Sequence, residues 1–342
     1  MTKRKGILSL MLIVFTWCVL LGEASSYFTT KKEVSWKIET GSFEKPYLTS
    51  GENFNKITSP VKNKIQTVEF MNRIPDLSDY ETGVTKFDVS KEQNKTVIAW
   101  VDGTKMYVGG MGGIIADESL NTMFSYYTAL TDVKFKDVLD TTPSNSAYNM
   151  FLCCANLLTT DIANLDMKGI TNYQMMFANC DSIEKIDISA WNMSSAKNLY
   201  GMFLSCDKLA QVYFGEKNLQ NVENFGYMFS YCGNLADADF SRVKTQNGIN
   251  YDGMFLRCQI LGDLDLSGFK MRADSSLNQM FGYMNGIRNV YVSSNWSEVV
   301  KGSELPFWRC RGLTGADVSD KEGIDMANYN NGGYFTYRVP KV

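Results

Sequence analysis

Three residue types that could do chemistry recur in this chain at one fixed step, and histidine is absent from all 342 residues. Cys154, Cys180, Cys206, Cys232 and Cys258 follow one another every 26 residues, and Cys310 is in phase with them. A column of thiols can serve as small buried apolar residues, as a disulfide ladder, or as metal ligands. The metal reading is the poorest of these, because tetrahedral ligands converge on a point and these lie along a line. Asp161, Asp187, Tyr213, Asp239, Asp265 and Tyr291 form a second column. Neighbouring carboxylates in such a column repel. They call for a cation, a basic partner, or hydrogen bonds from residues such as Ser189, Ser241 and Ser267. Asp239 and Asp265 could also form the close carboxylate pair of a retaining glycosidase. A regular ladder, however, offers no distinct environments to separate two pKa values. No nucleophile elbow, phosphate loop or metal-ligand cluster appears. The expectation is therefore no catalytic residue, no metal and no cofactor. Tyr126, Tyr213, Tyr231 and Tyr291 remain as aromatic anchors for a protein or sugar partner.

The elements that position these residues are repeats. Met-Phe occurs at Met123-Phe124, Met150-Phe151, Met176-Phe177, Met202-Phe203, Met228-Phe229, Met254-Phe255 and Met280-Phe281. The cysteine follows four residues after each Met from Met150 to Met254, and Met284 takes its place in the next unit. A strict period in this range means a stacked array of units. Within a unit, Ile183, Ile186 and Ile188 follow an L-x-x-L-x-L spacing, so Ile186 and Ile188 share the inward face of a strand. The inward columns run Ile186, Val212, Ala238, Leu264, Val290 and Ile162, Ile188, Phe214, Phe240, Leu266, Val292. Asp187 and its equivalents point outward. Leu199, Met202, Phe203 and Cys206 recur at spacings of three and four, which predicts a short helical piece. The expected fold class is α/β, a leucine-rich-repeat-like solenoid of about eight units. Each unit would contribute a short parallel strand and a short helical turn, with β caps at both ends. Phe151, Phe177, Phe203, Phe229, Phe255 and Phe281 would form its inner column beside the cysteines.

The remaining segments follow from texture. Residues 1–26 read as a signal peptide, with Lys3, Arg4 and Lys5 before an apolar run from Ile7 to Leu21. No other stretch is apolar enough to span a membrane, so export is expected. Residues 27–82 read as a polar, partly ordered leader. Residues 83–118 read as an N-terminal β cap, 119–312 as the solenoid, and 313–342 as a C-terminal cap ending in an aromatic strand near Tyr334 to Tyr337. A net charge of -3 argues against a nucleic-acid surface.

The Met-Phe and cysteine steps, strands of the type Leu264-Asp265-Leu266-Ser267, the entry Phe87-Asp88-Val89-Ser90 with Ala99-Trp100-Val101, and the ending Gly332-Gly333-Tyr334-Phe335-Thr336 carry a resemblance. They resemble the BspA-like leucine-rich-repeat surface proteins of bacteria, in the branch with 26-residue repeats. The resemblance implies a secreted or cell-surface bacterial protein that adheres to a host or neighbouring-cell protein or glycan. The rival expectations are a structural envelope protein without a ligand and, more remotely, a glycan-active enzyme using the paired aspartates.

Overall fold

Backbone pairing repeats along this chain at the period of its sequence. The computed structural model describes residues 44–76, 84–162, 165–301, 303, 305–314, 323–330 and 333–341. The signal segment, residues 27–43 and 77–82 of the leader and Gly332 of the C-terminal ending lie outside them. Glu44–Val342 forms one unit.

Part of the segment read as a partly ordered leader is folded. Helix α1 (Gly51–Thr58) is followed by strand β1 (Thr67–Met71). Ser50 caps α1 by accepting from the Asn53 amide. Strands β2 (Thr85–Asp88), β3 (Val97–Asp102) and β4 (Lys105–Gly110) form an antiparallel meander. Strand β1 inserts between β4 and β6 (Asp132–Lys134), parallel to both. The cap therefore begins before residue 83: the polar stretch holds Phe54, Ile65, Val68 and Phe70 on one buried side. A polar average hid that alternation.

Strands β5 (Ile114–Ile115), β7 (Leu139–Asp140) and β8 (Thr159–Thr160) begin the array. The strand face continues through β9 (Lys185–Asp187) and β10 (Gln211–Tyr213). A second line of strands begins with β11 (Lys217–Leu219). The order then runs β12 (Asp237–Asp239), β13 (Val243–Thr245), β14 (Asp263–Asp265), β15 (Asn289–Val292) and β16 (Phe335–Tyr337). Strands β9, β10 and β12 pair in parallel at offsets of 26 residues, as do β14 and β15. Strand β16 adds to β15 in parallel and closes the array. On the second side β11 pairs with β13. On a third, single bridges link Asn172, Asn198, Asn224 and Asn250 in sequence. Units thus meet along up to three lines, of which the single bridges run unbroken from Ser119 to Ser276.

The expected helical piece is a chain of turns. Leu199, Gly201, Phe203 and Ser205 donate their amides to the carbonyls of Asn224, Gly226, Met228 and Ser230 in the next unit, at 2.8–2.9 Å. The intervening amides of Met202, Leu204 and Cys206 donate back three residues, to Leu199, Gly201 and Phe203. Neighbouring units repeat this alternation. Positive φ at Gly201 (58°) and Ser205 (56°) gives two type II turns per unit. Most units place a non-glycine residue in the left-handed region at these positions, for example Met175, Asn179, Tyr227 and Tyr231. That conformation costs roughly 1–2 kcal/mol per residue, offset by the bonds between units. At Gly253 (φ +58°) a side chain would also meet the Tyr227 ring, 2.8 Å from an added Cβ.

Inside, the phenylalanines stack. Ring centroids of Phe151, Phe177, Phe203, Phe229, Phe255 and Phe281 are 5.3–6.2 Å apart in sequence, with interplanar angles of 4–17°. Phe124 and Phe307 extend the column at its two ends. The offset-stacked spacing is a favourable one for aromatic pairs. Both inward strand columns are buried throughout.

Two outcomes check this packing. Phe203→Ala should lower unfolding free energy by about 3–5 kcal/mol in urea melts, because the ring is fully buried between two others. Retention of wild-type stability would contradict the stacked column.

Candidate functional site

The thiols are placed by the turns just described. Cys154, Cys180, Cys206, Cys232, Cys258 and Cys310 are fully buried, and Cys153 is half-buried. Each thiol from Cys154 to Cys258 donates to the carbonyl of the Phe one unit back, at 3.0–3.2 Å. From Phe151 to Phe229 that carbonyl also accepts the amide of its own unit's cysteine. One oxygen thus joins two units through two lone pairs. Burial pushes all six thiols well above their ordinary value, Cys310 to about 12. The thiolate is the reactive form, so these positions act as packing and hydrogen-bond groups. Cys153 sits at a left-handed turn position, and Asn179 Nδ2 lies 3.7 Å from its sulfur.

The outward column is more varied than its sequence. Asp161 accepts the amides of Phe135 and Lys136, at 2.7 and 3.0 Å, and so caps the loop of the preceding unit. Asp187, Asp239 and Asp265 each accept the amide two residues on, from Ser189, Ser241 and Ser267. These Asx turns end the strand. Tyr213 sits in register between Asp187 and Asp239, which separates like charges. The Ser189 hydroxyl and amide hold the Asp187 carboxyl below the usual range. Asp265 differs again. Burial pushes its carboxyl up, but hydrogen bonds from Arg338 and Ser267 outweigh this and hold it low. Arg338 Nη1 lies 2.8 Å from Asp265 Oδ2, and its guanidinium stacks 3.3 Å from the centroid of Tyr291. A carboxyl held low suits an ion pair rather than a general acid.

Among the named strands the ladder breaks between β12 and β14. A cleft of about 340 Å³ opens there, lined by Asp237, Asp239, Asp263, Asp265 and Tyr291 together with the basic residues Arg338 and Lys341. Sequence reasoning named Asp239, Asp265 and Tyr291 among them. It missed Asp237 and Asp263, which share the outward face two residues before Asp239 and Asp265. Arg338 was also missed, because the C-terminal strand had no visible register. Asp263 accepts from Asn289 Nδ2 at 3.0 Å, and Arg288 lies 3.7 Å away. A second cleft, about 500 Å³, lies beside β11 and β13. Its wall includes Lys217, 4% exposed, whose Nζ donates to the Ser189 carbonyl at 2.7 Å. Burial lowers the pKa of that ammonium. Among the described residues no group of His, Cys, Asp or Glu could hold a metal ion. No described helix is long and apolar enough to cross a membrane.

These features define a protein of parallel-stacked 26-residue units with a polar outer face over an apolar, thiol-containing interior. The chain belongs to the family described as "Mycoplasma protein of unknown function, DUF285", which matches residues 118–237 and 210–307, together more than half of the chain. That family is one of bacterial surface proteins whose function is not established. Neither the curated proteins nor the solved structures contain a match.

Two measurements test the site chemistry. In thiol titration of the native protein, Cys153 should react alone among the described cysteines, and the six column thiols only after denaturation. Several reactive thiols in the native state would contradict the buried column. Asp265 has a folded pKa below its unfolded value of about 3.9. Its contribution to stability is therefore present above that pH and lost as pH falls through the folded value. Asp265→Asn should destabilise at neutral pH and flatten the acid limb of stability against pH. An unchanged acid limb would show that the Arg338 contact contributes nothing.

Proposed function

We propose that this is an exported bacterial surface protein that works by binding, as an adhesin or protein-interaction module. Its stacked units are read as a solenoid of the leucine-rich-repeat kind, in the BspA-like manner, with a β cap at each end. In-register parallel pairing at 26-residue offsets supports that reading. So do the antiparallel meander at one end and the added strand β16 at the other.

One observation carries the site: the acidic cleft where the strand ladder is interrupted. Asp161 spends both carboxylate oxygens on backbone amides, whereas Asp187 and Asp239 each give one oxygen to the amide two residues on. At the break, Asp237, Asp239 and Asp263 line open space beside the Tyr291–Arg338 stack. A cleft with clustered carboxylates and an aromatic wall fits a lysine or arginine side chain of a host or neighbouring-cell protein. Phe240 and the inward columns lie beneath it, so its walls can vary without disturbing the core.

The test is a paired substitution, Asp237→Ser with Asp263→Ser, followed by binding of the purified protein to host cells. Attachment should weaken about tenfold, equal to roughly 1.4 kcal/mol, with an unchanged melting temperature. Undiminished attachment would remove the cleft from the function.

A further inference from the structure

The second line of strands carries a charge where its other units carry apolar side chains. Its inward column runs Leu165, Trp191, Lys217, Val243 and Phe269 at steps of 26 residues. All five are buried, Lys217 included. Strand pairing sets Lys217 opposite Val243, so the lysine occupies the inward place itself. Its ammonium reaches back one unit to the Ser189 carbonyl, at 2.7 Å. Trp191 does the same with its indole N–H, which donates to the Ile162 carbonyl at 2.9 Å. The indole has one donor and spends it there. An ammonium has three, and among the described residues Ser189 takes one of them. Burial works against the charge, and the Asp187 carboxylate offsets this only in part. A lysine kept in an apolar column at that cost has donors left for a further partner.

Lys217 lines the cleft of about 500 Å³ beside β11 and β13, a volume typical of small-molecule sites. The rim is rich in donors as well. Asn192 and Asn218 accept the Ser194 and Gln220 amides through Oδ1, at 3.1 and 3.2 Å. Only the oxygen of a side-chain amide can accept, so both Nδ2 groups are left to donate. Lys244 stands exposed beside Asn218 in the strand register. Acceptors on the wall include the Glu216 carboxylate and the Ser194 hydroxyl. Trp191 and Met193 supply the apolar part, and both are almost wholly buried, so little apolar wall is open.

We propose that this cleft binds a small sugar acid carrying one negative charge, with its carboxylate on Lys217 and its hydroxyls on the amide rim. The unspent ammonium donors match a carboxylate, and the Asn192 and Asn218 amides donate to sugar hydroxyls. The Glu216 carboxylate selects among anions. It accepts from sugar hydroxyls but repels a phosphate ester, which carries close to two charges. The shortage of open apolar wall disfavours a peptide terminus, whose side chain would need one. The site shares no residue with the acidic cleft of the strand face.

The probe is sodium glucuronate, titrated calorimetrically into the full chain beside glucose, acetate and glucose 6-phosphate. Glucuronate should bind saturably and more tightly than each of the other three, and added salt should weaken it. Lys217→Met puts an apolar side chain of similar length into an otherwise apolar column, and glucuronate binding should then fall roughly tenfold or more. If that variant fails to fold, Asn218→Asp keeps an oxygen for the Gln220 amide, removes a donor and adds a like charge at the exposed rim. It should weaken glucuronate binding about fivefold. No saturable glucuronate binding, equal or tighter binding of acetate or glucose 6-phosphate, or folded variants that bind like the native protein would each overturn the proposal.

Discussion

Everything in this protein depends on one backbone arrangement: within each Met-Phe segment, alternate amides bond forward to the next unit and the rest close turns within their own. A lone 26-residue unit cannot satisfy those forward amides or bury its Phe. A neighbour does both at once. The same constraint places two residues per unit in the left-handed region, mostly without glycine. Such strain persists only where the surroundings over-determine it. Here the over-determination is the unit on either side.

From that arrangement the interior chemistry follows. Stacking at the turn segments aligns the phenylalanine rings and brings the thiols from Cys154 to Cys258 to the carbonyl of the Phe one unit back. The cysteine is small enough for the column and supplies a donor to a second lone pair of an oxygen already in use. Its burial suppresses the thiolate, so a free-thiol column is compatible with export. The ends need different solutions, since a first and a last unit have only one neighbour. The N-terminal meander with β1 and the C-terminal β16 provide them. Arg338 then ties β16 to Asp265 and Tyr291, which couples the closing strand to the outward face.

Much of this was legible in the residues. The period, the inward strand columns and the phenylalanine column could all be read from spacing. The turn chain could not, because residues at three and four apart line one side of either a helix or successive turns. What separates the two is where the amides go, and that depends on the next unit. The stretch from Gly51 to Met71 escaped for another reason: its few buried residues are diluted by polar ones. The acidic column was visible, but not its division of labour. Asp161 and Asp187 answer backbone amides, and Asp265 answers both the Ser267 amide and an arginine 73 residues away.

The most direct test of the central claim is a map of amide contacts by NMR across Leu199 to Ser230. Stacked turns predict close contacts between the amides of Gly201 and Phe203 and the backbone at Gly226 and Met228. They also predict slow exchange at Leu199, Gly201, Phe203 and Ser205. A continuous ladder of sequential amide contacts from Leu199 to Cys206, with none to Gly226 or Met228, would mean a helix and would contradict the account.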